Sequence, residues 1–326
     1  MATMSLSKAL NAGLRQAMER DPKVVLMGED IGKLGGVFRV TEGLQRDFGD
    51  RRVIDTPLAE SGVVGTAVGL AMRGYRPVCE IQFDGFVYPA FDQIVSQVAK
   101  LRHRNEGRVA MPVTIRVPYG GGIGAVEHHS ESPEAYFAHT AGLRVVTPSS
   151  AGDGHRMIQQ AIASDDPVVF FEPKRRYWER DEVDDASPLS GMPLHRARVI
   201  VEGTDATIAA YGPMVATALD AARIGNEEGT SIEVIDLRSL SPVDFDTIEA
   251  SVRKTGRLVV AHEASVFCGL GAEIAARVSE RCFYHLESPV RRVGGFATPY
   301  PPSRLERHYL PDADRILHEV DRCLQA

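Results

Sequence analysis

Paired cysteines, an excess of positive charge and long apolar runs are all missing from this sequence. Its four cysteines, Cys79, Cys268, Cys282 and Cys323, are scattered, with no CxxC pair and no histidine at zinc-finger spacing. That excludes a disulfide scaffold and a zinc finger, and the cysteines read as reduced thiols of a cytoplasmic protein. With 37 Lys and Arg against 44 Asp and Glu, the net charge of −7 offers no electrostatic footprint for a nucleic acid. The longest weakly polar stretch, 61–72, is about 12 residues against the roughly 20 that span a bilayer, so no membrane segment is expected. The segment 5–20 carries Lys8, Arg15, Glu19 and Arg20 and does not read as a secretory signal. Asparagine is scarce, at Asn11, Asn105 and Asn226 alone.

What is present is a globular composition, 44% hydrophobic and 25% charged, over 326 residues. That length predicts two domains. Leu6, Leu10, Leu14 and Met18 recur at spacing four and predict an amphipathic helix, followed after Asp21-Pro22 by a buried strand at Val24-Val25-Leu26-Met27. Strands at 52–55, 77–83, 113–117, 143–146 and 168–171 then alternate with helices at 60–72, 89–104 and 151–163. Such βα units predict a mostly parallel sheet with helices on both faces. The charged stretch 174–185, followed by Ser187-Pro188-Leu189-Ser190-Gly191, breaks the pattern and marks a linker. A second α/β unit follows, with strands at 207–211, 232–235, 258–261 and 290–294 and helices at about 214–228, 244–253, 270–281 and 312–325. The expected boundaries are a first domain over 1–185, a linker over 186–200 and a second domain over 201–326.

Two segments carry chemistry. In Thr56-Pro57-Leu58-Ala59-Glu60-Ser61-Gly62, Thr56 reads as an N-cap with Pro57 at the first helical position. Glu60 falls one step too late for a capping box. Leu58, Ala59, Val63 and Val64 are expected to desolvate its carboxylate and raise its proton affinity, whereas the plainer reading is a first-turn acid favoured by the helix dipole. Further on, Gly120-Gly121-Gly122-Ile123-Gly124 leads to His128-His129-Ser130-Glu131-Ser132. No Gly-Lys-Ser/Thr follows, so this is not a phosphate-binding P-loop; the glycines permit tight turns or close approach of a ligand. His139 and His155 complete no zinc set with the histidine pair. A carboxylate in an apolar wall and a histidine on a glycine-permitted loop suit a cofactor that needs a proton shuttle and an acid/base partner.

Two motifs fall short. Gly269-Leu270-Gly271 precedes a helix, but the sixth position is Ile274, so the dinucleotide fingerprint fails. Gly152-Asp153-Gly154 begins like the thiamine diphosphate and Mg²⁺ motif, but the asparagine about 30 residues on is absent, leaving Asp153 as a helix-start residue.

Taken together, Val53-Ile54-Asp55-Thr56-Pro57-Leu58-Ala59-Glu60, Glu80-Ile81-Gln82-Phe83, Pro89-Ala90-Phe91-Asp92-Gln93-Ile94 and His129-Ser130-Glu131-Ser132-Pro133-Glu134-Ala135 closely resemble the β subunit of 2-oxo acid dehydrogenase E1 components. Phe171-Glu172-Pro173-Lys174, Ile235-Asp236-Leu237-Arg238 and Thr298-Pro299 extend the likeness almost end to end. The resemblance implies a thiamine diphosphate pyrimidine-binding domain followed by a transketolase C-terminal-type domain. It also implies an α2β2 heterotetramer with an E1 α subunit that carries the diphosphate and Mg²⁺ site. Its reaction would be decarboxylation of a 2-oxo acid and reductive acylation of the lipoyl group of E2.

By the same resemblance, Glu60 would hydrogen-bond N1′ of the cofactor's aminopyrimidine and His129 would act in lipoyl acylation. Leu58 and Gln82 would line the pocket, and Phe86 would pack on the pyrimidine where relatives often have Tyr. Ordinary core packing is the plainer reading of those last three. Glu131 stands where the family usually has Gln, and its charge is expected to raise the His129 pKa. Some members bind a structural monovalent cation through carbonyls matching Val113, Thr114, Ala161, Ser164 and Asp166, which makes K⁺ a candidate ligand. The acidic balance suits the basic subunit-binding domain of E2. Branched-chain 2-oxo acids are the favoured substrates and pyruvate the alternative, because a hydrophobic pocket separates them by only about 1–3 kcal/mol per methylene. A self-sufficient transketolase-type enzyme and a non-catalytic docking subunit are the competing readings.

Overall fold

The computed structural model describes residues 2–184 and 191–326, so Asp185, the expected end of the first domain, and 186–190 of the expected linker lie outside the described residues. Its strands in chain order are β1 (Ala2–Ser5), β2 (Val24–Gly28), β3 (Val53–Asp55), β4 (Arg76–Glu80), β5 (Thr114–Tyr119), β6 (Arg144–Val146) and β7 (Val168–Pro173). They continue with β8 (Arg180–Val183), β9 (Arg198–Val201), β10 (Ala206–Ala210), β11 (Ile232–Asp236), β12 (Ser239–Ser241), β13 (Leu258–Ser265) and β14 (Arg291–Gly295). A first sheet runs β12-β6-β7-β5-β4-β2-β3 and a second runs β14-β13-β10-β11-β9. All pairings in these sheets are parallel except β12 on β6 and β9 on β11. β1 and β8 form a separate antiparallel pair.

The period-four leucines form the helix Leu6–Arg20, capped by Ser5, whose hydroxyl accepts from the Lys8 N–H. This helix buries Leu6, Leu10 and Leu14 against the helix Ala151–Ala163. Glycines allow the close approach: a Cβ on Gly13 would lie 2.6 Å from Ile158 Cγ2, and one on Gly154 would lie 2.4 Å from Leu6 Cδ1. Residues 198–200 of the expected linker are already strand β9 of the second sheet. The two units share one apolar core, in which Tyr119 and Phe171 of the first meet Tyr211, Leu237 and Leu270 of the second. Among the described residues no helix is long and apolar enough to cross a membrane.

One expected helix is broken, and another keeps its expected span of 60–72 but not its expected cap. The long helix over 89–104 is a 3₁₀ segment at Asp84–Ala90, a π-helical turn at Gln93–Val98 and one short α-turn at Leu101–Arg104. Pro89 lies inside the first of these and supplies no N–H, which favours the break. The helix after β3 starts at Glu60 with Ala59 at its cap, not with Thr56 as N-cap. The Thr56 N–H instead continues the sheet pattern by donating to the Gly28 carbonyl at 2.9 Å.

Candidate active site

β2 lies between β3 and β4, so the chain winds one way from β2 to β3 and the other way across to β4. Open α/β sheets bind ligands beyond the carboxyl ends of their strands at such a reversal. Glu29 and Asp30 leave the end of β2, Glu60 opens the helix after β3, and Gln82 and Phe83 follow β4. Asp30 holds a left-handed φ of 58°. Gln82 Nε2 donates to Asp30 Oδ2 at 3.3 Å. Burial raises the Glu29 pKa, and the nearby charges of Glu60 and Asp30 raise it further.

Glu60 is half-buried. Of the four residues expected to desolvate it, Val63 and Val64 are buried, but Ala59 is exposed and Leu58 is 68% exposed. Leu58 and Ala59 precede the first helical residue, Glu60, so neither lies on the helix's inner face.

His129 sits in the 3₁₀ turn Glu127–His129. Its ring stacks on Phe83 with centroids 4.0 Å apart and meets the edge of Phe86 at 5.3 Å. His129 Nδ1 lies 2.9 Å from the His128 carbonyl oxygen. Because a carbonyl only accepts, Nδ1 carries the hydrogen and the neutral ring presents a lone pair at Nε2. Gly85 makes room for the loop, since a Cβ there would lie 2.3 Å from the His128 oxygen. The expectation that Glu131 raises the His129 pKa is overturned. Desolvation lowers it, and the His128 and Lys174 charges push the same way, against the hydrogen bond to the His128 carbonyl and the Glu127 charge, which raise it. Glu131 is occupied elsewhere, accepting from the Tyr88 hydroxyl at 3.1 Å.

Comparison with known proteins bears directly on this geometry. The chain matches the transketolase pyrimidine-binding domain over residues 2–179 and the transketolase C-terminal domain over residues 195–316. It is 63% identical over 322 residues to a pyruvate dehydrogenase E1 component subunit beta of Leifsonia xyli subsp. xyli, covering 99% of this chain and 95% of the relative. A 3-methyl-2-oxobutanoate dehydrogenase subunit beta of Mycobacterium tuberculosis is 54% identical, with 99% and 92% covered. The solved structure of a split-gene transketolase, described as an inactive β4 tetramer, superposes with a TM-score of 0.81 at 27% identity, covering 99% of this chain and 98% of that one. The chain belongs to the 2-oxo acid dehydrogenase E1 β-subunit family.

In this E1 β-family chain the site residues read from sequence form two groups. Glu60 lies by Glu29, and Gln82 by Asp30, while Phe86 and His129 gather on Phe83; residues 82–86 join the groups. Leu58 stands apart at the surface. Sequence reasoning missed Glu29, Asp30 and Phe83, although an acidic pair directly after the apolar run 24–27 is a legible signal. It also missed the buried charges beneath the site. Lys174 bonds Asp84, and Asp84 Oδ2 accepts the Glu131 N–H at 2.7 Å. Burial pushes Asp84 up to about 6 and Lys174 down, towards the neutral forms and against their mutual attraction. Arg116 Nε and Nη2 donate to the two Glu172 oxygens at 2.6 and 2.9 Å, and Arg116 also bonds Glu80.

The remaining motifs find other uses. Asp153, near the start of its helix as expected, pairs with Arg198 at 2.7 Å and Arg238 at 3.3 Å of the second unit. Gly271 donates its N–H to His262 Nε2 at 3.3 Å, and a Cβ there would lie 2.7 Å from that nitrogen. Among the carbonyls considered for a monovalent cation, Val113 accepts from the Val168 N–H at 2.9 Å, Ala161 from the Ser164 N–H at 3.1 Å, Ser164 from Arg76 Nη1 at 3.0 Å and Asp166 from the Ser164 hydroxyl at 2.9 Å.

Proposed function

We propose that this chain is the β half of a thiamine diphosphate-dependent E1, acting with an E1 α subunit in an α2β2 assembly to decarboxylate a 2-oxo acid and acylate the lipoyl group of E2. The observation that carries the reading is Glu60 at the strand-order reversal, linked through residues 82–86 to a histidine stacked on an aromatic ring. When bound, thiamine diphosphate supplies the electron sink for loss of CO2. Glu60 holds and returns a proton at N1′ of its aminopyrimidine. The residues present fit that group: burial and the neighbouring Glu60 charge push Glu29, beside it, towards its protonated form, and Phe86 offers an aromatic face. His129 serves the lipoyl step by donating from Nε2 to the sulfur that leaves the disulfide.

Support for the partner comes from the helix Glu60–Met72. It is apolar all round, yet Met72 is 54% exposed and Leu58, just before it, 68% exposed; an element of that kind is normally covered. Asp153 is committed to two arginines, which favours an α-chain site for the diphosphate and Mg²⁺. The lipoyl and subunit-binding domains of E2 complete the proposed partners.

For the substrate we favour branched-chain 2-oxo acids, supported by the Mycobacterium tuberculosis relative. Pyruvate is the second reading, favoured by the name of the 63% identical relative. Turnover of pyruvate, 3-methyl-2-oxobutanoate and 4-methyl-2-oxopentanoate by the chain mixed with its cognate α subunit separates the two. In the same mixture Glu60→Gln is expected to slow decarboxylation by about 100-fold or more, the usual worth of positioned proton transfer. An unchanged rate removes the proposed role of Glu60 and with it this reading of the site.

A further inference from the structure

The loop that carries His129 is entered through a glycine-rich arm. Gly120, Gly122 and Gly124 all have left-handed φ values, of 81°, 88° and 69°. Such residues lose the most freedom on ordering. A cavity of about 250 Å³, walled in part by Ser130, Glu131, Glu263 and Tyr300, lies alongside the segment. The Ser130 hydroxyl is buried there without a hydrogen-bond partner. The base of the loop is tied, because Gly120 N–H donates to the Glu131 carbonyl at 2.8 Å.

The glycine-rich arm is gripped from the second unit. Glu306 Oε1 accepts the Gly122 N–H at 2.9 Å, and its Oε2 accepts the Gly124 N–H at 3.1 Å. The Tyr300 hydroxyl donates to Glu306 Oε1 at 2.7 Å, which fixes the carboxylate. Glu263 Oε2 accepts the intervening Gly121 N–H at 3.1 Å, and Arg175 lies 3.1 Å from its other oxygen. Glycine turns with left-handed residues point successive N–H groups into a concavity suited to an anion. Here the anions are two carboxylates of the C-terminal unit, and charge-assisted bonds of this kind are the stronger class.

We propose that Glu306 is a positioning residue for His129: by clamping Gly122 and Gly124 to the C-terminal unit it holds the loop in the conformation that stacks His129 on Phe83. This rests on the function proposed above, and the test separates the two. In the α2β2 enzyme, Glu306→Ala is expected to lower kcat for acylation of free lipoamide by about tenfold, as misplacement of a reacting group does. Its decarboxylation rate with an artificial oxidant and its KM for the 2-oxo acid are expected to stay within about twofold. Glu306→Gln, which keeps one acceptor oxygen, should fall between Glu306→Ala and the parent. Hydrogen exchange needs no turnover: amides of residues 120–131 should exchange about tenfold faster in Glu306→Ala than in the parent, with those of the helix Leu6–Arg20 unchanged. Should Glu306→Ala fail to assemble, Glu306→Gln and Tyr300→Phe carry the same readouts. If His129→Ala slows lipoamide acylation while the Glu306 variants alter neither that step nor loop exchange, the clamp is wrong and the function stands. If His129→Ala leaves acylation unchanged, the role given to His129 is wrong.

Discussion

His129 keeps its Nδ1 hydrogen on the His128 carbonyl, so Nε2 can donate only after the ring takes a second proton. Desolvation lowers its pKa from 6.5. Most of the ring is therefore neutral at neutral pH, and the donor form grows as pH falls. The ratio of parent to His129→Ala acylation rates should accordingly rise on acidification towards a midpoint below 6.5. Rates with free lipoamide at closely spaced pH values check this, and a ratio independent of pH removes the proton donor. The Glu131 expectation failed for a local reason: its carboxylate faces Tyr88, an orientation that sequence adjacency does not set.

The loop 120–131 and the 3₁₀ segment Asp84–Ala90 meet at Gly85, and the fit leaves no room for a methyl group. Gly85→Ala would place a Cβ 2.3 Å from the His128 oxygen, so the loop must lift. Lipoamide acylation is expected to fall about 10- to 100-fold, with a loss of stability of about 1–3 kcal/mol from overpacking, read by turnover and by denaturant unfolding. Unchanged acylation in a folded Gly85→Ala enzyme means that the seat of the loop does not matter. Most helices and strands were legible because their apolar periodicity survives into the fold; the helices Ala151–Ala163 and Leu270–Arg281 match the expected spans. The broken helix over 84–104 was not, because the apolar spacing there does not distinguish a continuous α-helix from the 3₁₀ and π turns that are found.

Buried polar groups cross the joint between the two units. Tyr211 of the second unit donates to Glu134 of the first at 2.7 Å. Burial raises the Glu134 pKa from 4.5 to about 7 despite that bond. The folded state thus binds more protons than the unfolded state between those values. The stability contributed by this group is full below about 4.5 and is lost as pH rises through about 7, at up to about 1.4 kcal/mol per pH unit. Glu134→Gln, which cannot ionise, should gain stability relative to the parent between pH 5 and pH 7 and keep a constant difference above that. Melting temperatures of both proteins across that range test it, and a constant difference between pH 5 and pH 7 refutes the buried acid. β12 strengthens the same joint, because a strand from beyond the linker closes the edge of the first sheet on β6.

The order of strands and helices and the two-unit plan were carried by residue type and spacing, which local propensity and apolar periodicity translate directly into elements, while the roles expected of Glu60 and His129 came from the family resemblance of the motifs around them. Tertiary structure alone decided the rest: Leu58 left at the surface, Glu131 turned to Tyr88, and Glu263 and Glu306 brought more than 140 residues along the chain to the glycine loop. Those outcomes depend on which buried donors and charges must find partners once distant strands are side by side, and no local pattern encodes that pairing.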